Sequence, residues 1–143
     1  MVHVALIYET RRKKAMVQVV EWIEDALASM GVDAEVGKPD QLGAMNHDAY
    51  FIGSSVYGGK VVPRILEFIQ KYKEELASKP VAAFMVCKET KHPEEQMEQV
   101  LDALPAKPIG QQFFEGYILL EKDFDRQRTK AEAWVTEMIA KIK

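Results

Sequence analysis

Val2 to Tyr8 is an apolar run of strand length, the pattern of a strand covered on both faces rather than one. From Met16 to Met30 the period changes. Val19, Val20, Ile23, Leu27 and Met30 recur at three- and four-residue spacing, which predicts a helix with one buried stripe, and Gly31 ends it. Val32 to Val36 alternates apolar with acidic residues and predicts an exposed or edge strand. The connection from Gly37 to Asn46 is polar, holds proline and glycine, and shows no helical pattern longer than a turn. Ala49 to Ile52 predicts a short strand that empties into a glycine- and hydroxyl-rich loop, Gly53-Ser54-Ser55-Val56-Tyr57-Gly58-Gly59-Lys60.

The second half continues the alternation. Ile65, Leu66, Ile69, Tyr72 and Leu76 line one face of a helix predicted over Val61 to Leu76, with Pro63 tolerated in the first turn, where no N–H partner is lost. Val81 to Val86 predicts another buried strand, followed by a loop from Cys87 to Lys91. His92-Pro93-Glu94-Glu95 has the composition of a helix start, and Met97, Val100, Leu101 and Leu104 supply its stripe before Pro105 and Pro108 break it. Phe113 to Leu120 is the last predicted strand, and Ala131, Trp134, Met138 and Ile142 mark a closing helix. The order β-α-β-β-α-β-α-β-α predicts an α/β fold: a doubly wound, five-stranded parallel sheet of order 2-1-3-4-5 between two helical layers. In that order a ligand crevice opens at the carboxyl ends of strands one and three, between the loops Glu9 to Lys14 and Ser54 to Lys60.

At 143 residues and 48% apolar content, the expectation is one domain spanning residues 1–143, able to bury a core without disulfides. A formal charge of −3 argues against a nucleic-acid partner, which would favour a basic excess. Cys87 is the only cysteine, so no disulfide framework or zinc cluster can be built, and a reducing cytoplasm is expected. No signal-peptide pattern opens the chain, and no run approaches the roughly 18 apolar residues of a membrane span. His3, His47 and His92 are scattered and predict no metal set. A cysteine closing a buried strand reads first as a small core residue, and a catalytic thiol would need a base, with His92 the histidine near it in sequence. Trp22 and Trp134 are expected on helices, resting against the sheet.

Tyr8-Glu9-Thr10 after the first strand, together with Gly53 to Lys60 after the third, resembles the flavodoxin family, in particular its short members similar to menaquinone-dependent protoporphyrinogen oxidase. The resemblance implies a flavodoxin-like fold and a non-covalent FMN, with the phosphate held by the first loop and the isoalloxazine ring by the second loop and the loop after strand four. On this chain the phosphate position falls on Thr10, Arg11, Arg12, Lys13, Lys14 and Ala15. The ring position falls on Ser54, Ser55, Val56, Tyr57, Gly58 and Gly59, with Tyr57 stacking, and the ring's far edge on Cys87, Lys88, Glu89 and Thr90. The first loop departs from the family: Lys13, Lys14 and Ala15 stand where glycine, asparagine and threonine are usual, removing backbone freedom and neutral donors while adding cations. Glu9 is expected to point outward or to pair with Arg11 or Arg12, because an inward carboxylate would repel a phosphate.

Each of these residues also has a plainer reading. Arg11 to Lys14 can be a solvated face, Tyr57 can cover the sheet end, and Ser54 or Ser55 can cap the following helix. The implied function is an electron-transfer or oxidoreductase protein acting with a redox partner protein or a quinone-like substrate, in which the cofactor carries the chemistry. The alternative is a cofactor-free module of the same fold, in which Arg11 to Lys14 docks an acidic partner or another phosphorylated ligand.

Overall fold

A computed structural model describes residues 2–10, 13–43, 45–57, 60–87, 93–115 and 121–143. The elements run β1 (His3–Glu9), α1 (Lys13–Ser29), β2 (Asp33–Gly37), β3 (Ala49–Tyr57), β4 (Lys60–Val61), α2 (Pro63–Lys71), α3 (Lys73–Ser78), β5 (Val81–Cys87), α4 (Pro93–Ala103), β6 (Gly110–Glu115) and α5 (Glu121–Ile142). Five strands pair in parallel in the order β2-β1-β3-β5-β6, which is the expected 2-1-3-4-5 once β4, an antiparallel partner of β3, is set aside.

Side-chain alternation along the strands divides the interior into two cores. Val4, Leu6, Phe51, Phe84, Val86 and Phe114 face the stripe of α1 and the apolar side of α5. Ala5, Ile7, Tyr50, Ile52, Ala83 and Met85 face α2, α3 and α4. All seven residues of β5 are buried, as a strand flanked on both edges and covered on both faces requires. β2 lies at the sheet edge, and its alternating pattern leaves most of it partly exposed.

Gly31 closes α1 with a φ of 72°. The Val32 N–H donates to the Leu27 carbonyl (3.0 Å) and the Gly31 N–H to that of Ala28 (3.0 Å), the paired bonds of a glycine-terminated helix. Nothing lies within 4 Å of a Cβ built at Gly31, so only backbone strain opposes a side chain there. Gly31→Ala is expected to lower the unfolding free energy by about 1 kcal/mol in urea denaturation. An unchanged midpoint would mean that this helix end does not use the left-handed conformation.

Several boundaries differ from the sequence expectation. The helix expected over Val61 to Leu76 is two helices, bent at Tyr72 (φ −107°, ψ 28°), while Val61 belongs to β4. The buried stripe stays in phase through the bend, with Leu76 still inside, so periodicity does not register it. β3 does not stop at Ile52 but continues to Tyr57, so Ser54 to Tyr57 are strand rather than loop. Tertiary pairing overrides the loop-like composition: Tyr8 and Glu9 of β1 pair with Gly53 and Ser54, and Met85 and Val86 of β5 pair with Ser54 and Ser55. Cys87 likewise closes β5 instead of opening a loop. The last strand begins at Gly110, ahead of the expected Phe113, and the remainder of the expected strand, 116–120, lies outside the described residues.

Candidate functional site

The tips of β1 and β3 are direct neighbours, with Glu9 paired to Ser54 at the end of the shared ladder. Thr10 follows, buried. α1 then begins at Lys13, so the expected phosphate residues Lys13, Lys14 and Ala15 form its first turn. The leading N–H groups of a helix have no partners within it and carry the positive end of its dipole, a chemistry that favours anions at a helix start. Ala15 is half-buried. Arg11 and Arg12, and the side chains of Lys13 and Lys14, lie outside the described residues.

On β3, Ser54 is buried and its hydroxyl is committed internally: it donates to the Ser55 carbonyl (2.8 Å) and accepts the Val62 N–H (3.0 Å). Val62 is the residue before α2, so Ser54 ties β3 to the helix start, although among the described residues no side chain caps the first turn of α2. The Val61 N–H donates to Gln99 Oε1 of α4 (3.2 Å). These two side chains anchor the chain leaving β4, in addition to the antiparallel pairing of Val56 with Val61 and Tyr57 with Lys60. The Ser55 hydroxyl, on a residue 6% exposed, has no hydrogen-bond partner among the described residues. Val56 packs against the core under α2 and α4, and Tyr57 ends the strand. Gly58, Gly59 and the Tyr57 side chain lie outside the described residues.

Cys87 is buried at the end of β5, and burial pushes its thiol up from 9.0 to about 11. At neutral pH it is therefore a protonated core group rather than a nucleophile. Lys88, Glu89, Thr90 and His92 lie outside the described residues.

Glu9 does not point outward: it is buried, 5% exposed, and its partners among the described residues are Lys38 Nζ (3.7 Å from Oε1) and Arg64 Nη1 (3.9 Å from Oε2), while the expected pairing with Arg11 or Arg12 lies outside the described residues. Oε1 also accepts the Thr10 N–H (3.0 Å), so that amide is not available to a ligand. Lys38 follows β2 and Arg64 lies in the first turn of α2. Neither carries a local sequence signal, and both were missed because only the sheet order brings them to the tip of β1.

His3 and His47, scattered in sequence, stack with ring centroids 4.5 Å apart at the opposite, amino-terminal end of the sheet. His3 Nδ1 lies 2.9 Å from Asp33 Oδ2 and His47 Nε2 lies 3.1 Å from Glu35 Oε1, which pins the edge strand β2 to its neighbours. Among the described residues no group of His, Cys, Asp and Glu is placed to hold a metal ion, and no helix is long and apolar enough to cross a membrane. Trp134 rests on the sheet as expected, edge-on to Phe51, Phe84 and Phe114. Trp22 is buried in the same core and also meets Phe124 of α5 edge-on.

The structural neighbours share this fold at low sequence identity. The Fusobacterium nucleatum flavodoxin bound to flavin mononucleotide is 15% identical, with a TM-score of 0.71 over 100% of both chains. A flavodoxin of Streptococcus pneumoniae TIGR4 is 16% identical, with a TM-score of 0.69 over 97% of this chain and 99% of that one. The flavo-diiron protein of Thermotoga maritima, in a histidine-to-asparagine mutant form, is 16% identical with a TM-score of 0.72; it matches 99% of this chain, which spans only 36% of that protein. No curated protein matches in sequence. The flavodoxin domain family matches residues 6–137, nearly the whole chain and both strand tips that form the crevice. The chain belongs to the flavodoxin domain family.

Proposed function

We propose that the chain binds FMN non-covalently where β1 and β3 end, and that it exchanges electrons with a redox partner protein or a quinone-like substrate. One juxtaposition carries this reading: the tip of β1, which α1 follows in the chain, pairs with the end of β3, where the buried Ser55 hydroxyl has no partner among the described residues. These residues suit a phosphorylated, planar ligand. Backbone N–H groups of Lys13, Lys14 and Ala15 would hold the phosphate, with Arg11 and Arg12 adding charge. Ser55 to Gly59, with Tyr57 as the stacking face, and Cys87 to Thr90 would bound the ring, while Ser54 and Gln99 fix the hairpin that carries it. When bound, FMN supplies reversible one- and two-electron chemistry. The chain contributes binding and electrostatics, and the neutral Cys87 thiol adds no charge at physiological pH.

Titrating FMN into the purified protein should quench flavin emission stoichiometrically and raise the melting temperature. Unchanged emission and melting would overturn the proposal. Lys13→Glu with Lys14→Glu should weaken binding about tenfold or more by reversing charge at the helix start; equal affinity would place the phosphate elsewhere. One observation favours the second reading, a cofactor-free interaction module: Lys13, Lys14 and Ala15 replace the family's glycine, asparagine and threonine. The same titration separates the two readings.

A further inference from the structure

A carboxylate at the tip of β1 opposes any anion bound at the start of α1. Glu9 is 5% exposed, and α1 begins close by in the chain, at Lys13. A buried carboxylate is tolerated only when compensated. Among the described residues the compensation comes from two separate segments: Lys38 after β2 at 3.7 Å and Arg64 in α2 at 3.9 Å. Both separations exceed hydrogen-bond length, and the same Arg64 nitrogen also lies 3.9 Å from Asp40 Oδ2. Glu9 is in phase with Ala5 and Ile7, so it lies on the α2 side of the sheet at the tip of β1, offset by cations held close to it but beyond hydrogen-bond length.

We infer that Glu9, Lys38 and Arg64 form a charge-balancing set that determines how strongly the crevice prefers a phosphorylated ligand over the same ligand without its phosphate. This inference rests on the FMN reading above. These are positioning and specificity residues acting through space, since none of the three belongs to the first turn of α1 or to the hairpin. Lys38 and Arg64 each raise the preference for the phosphate, and Glu9 lowers it. Glu9 also fixes the Thr10 peptide, a role that glutamine can keep because its side-chain oxygen accepts the same N–H.

The test is the ratio of dissociation constants for riboflavin and FMN, measured by fluorescence quenching. The two ligands share the ring, so a variant that merely loosens the fold shifts both and leaves the ratio alone. Lys38→Ala and Arg64→Ala should each lower the ratio about fivefold, and Glu9→Gln should raise it by a similar factor. The double variant Glu9→Gln with Lys38→Ala should return close to the wild-type ratio. If all variants share the wild-type ratio while both flavins still bind, the charge-balancing inference is overturned and the FMN reading stands. If the wild-type protein binds neither flavin, the FMN reading is overturned and this inference falls with it.

Discussion

Phe84→Ala should lower the unfolding free energy by about 3–5 kcal/mol, the range for removing a buried aromatic side chain. Phe84 is 1% exposed, and its ring lies edge-on to Phe114 (centroids 6.4 Å apart) and Trp134 (6.0 Å). Its other neighbour is the bare backbone of Gly53: a Cβ built there would fall 2.1 Å from Phe84 Cζ. The cavity left by alanine would be walled by strands and large rings that cannot close inward without moving the sheet. The converse substitution, Gly53→Ala, should cost about 1–3 kcal/mol, because a rigid ring hemmed in by Phe114 and Trp134 must shift to admit the methyl group. Both changes act on one space and will not add. In a Phe84→Ala background the Gly53→Ala penalty should largely vanish, and urea denaturation of the four proteins reads this directly. An equal penalty in both backgrounds would show that the ring does not occupy the glycine's space. The consequence reaches beyond the core, since Gly53 immediately precedes the serines at the crevice.

The second large effect is alkaline. Burial raises the Cys87 thiol from 9.0 to about 11, so the folded protein holds this proton more tightly than the unfolded chain does. That contribution is fully present below about pH 9 and is lost as pH rises to about 11. Two units correspond to roughly 2–3 kcal/mol. Tyr50 adds to the same alkaline trend: its phenol is raised from 10.0 by burial, against the hydrogen bond from the His47 N–H, with Glu75 also raising it. Comparison with Cys87→Ala isolates the thiol. The variant should carry a packing loss that is constant near neutrality and a shallower decline between about pH 9 and 11. Parallel pH profiles for the two proteins would disprove the buried, protonated thiol. Ellman's reagent supplies an independent check, because a thiol at 7% exposure should react slowly in the native protein and rapidly in urea.

Element order, and which side of each element lies inside, can be read from the linear pattern of the chain. The unbroken apolar runs of β1 and β5 mark strands covered on both faces, the alternation in residues 32–36 marks an edge, and the stripe of Val19, Val20, Ile23 and Leu27 marks the buried side of α1. These properties are legible because burial of a regular element repeats with the element's own period. That the tips of strands one and three lie side by side was legible for the same reason, since doubly wound order makes these strands neighbours. The remainder emerges only when the chain is folded. Composition could not reveal that Ser54 to Tyr57 extend a strand, because their pairing partners are supplied by β1, β4 and β5. Nor could it reveal Lys38 and Arg64 beside Glu9, Gln99 beneath the hairpin, or the stacked His3 and His47. Each of these depends on one contact between residues far apart in the chain, and a single long-range contact leaves no repeating trace along a sequence.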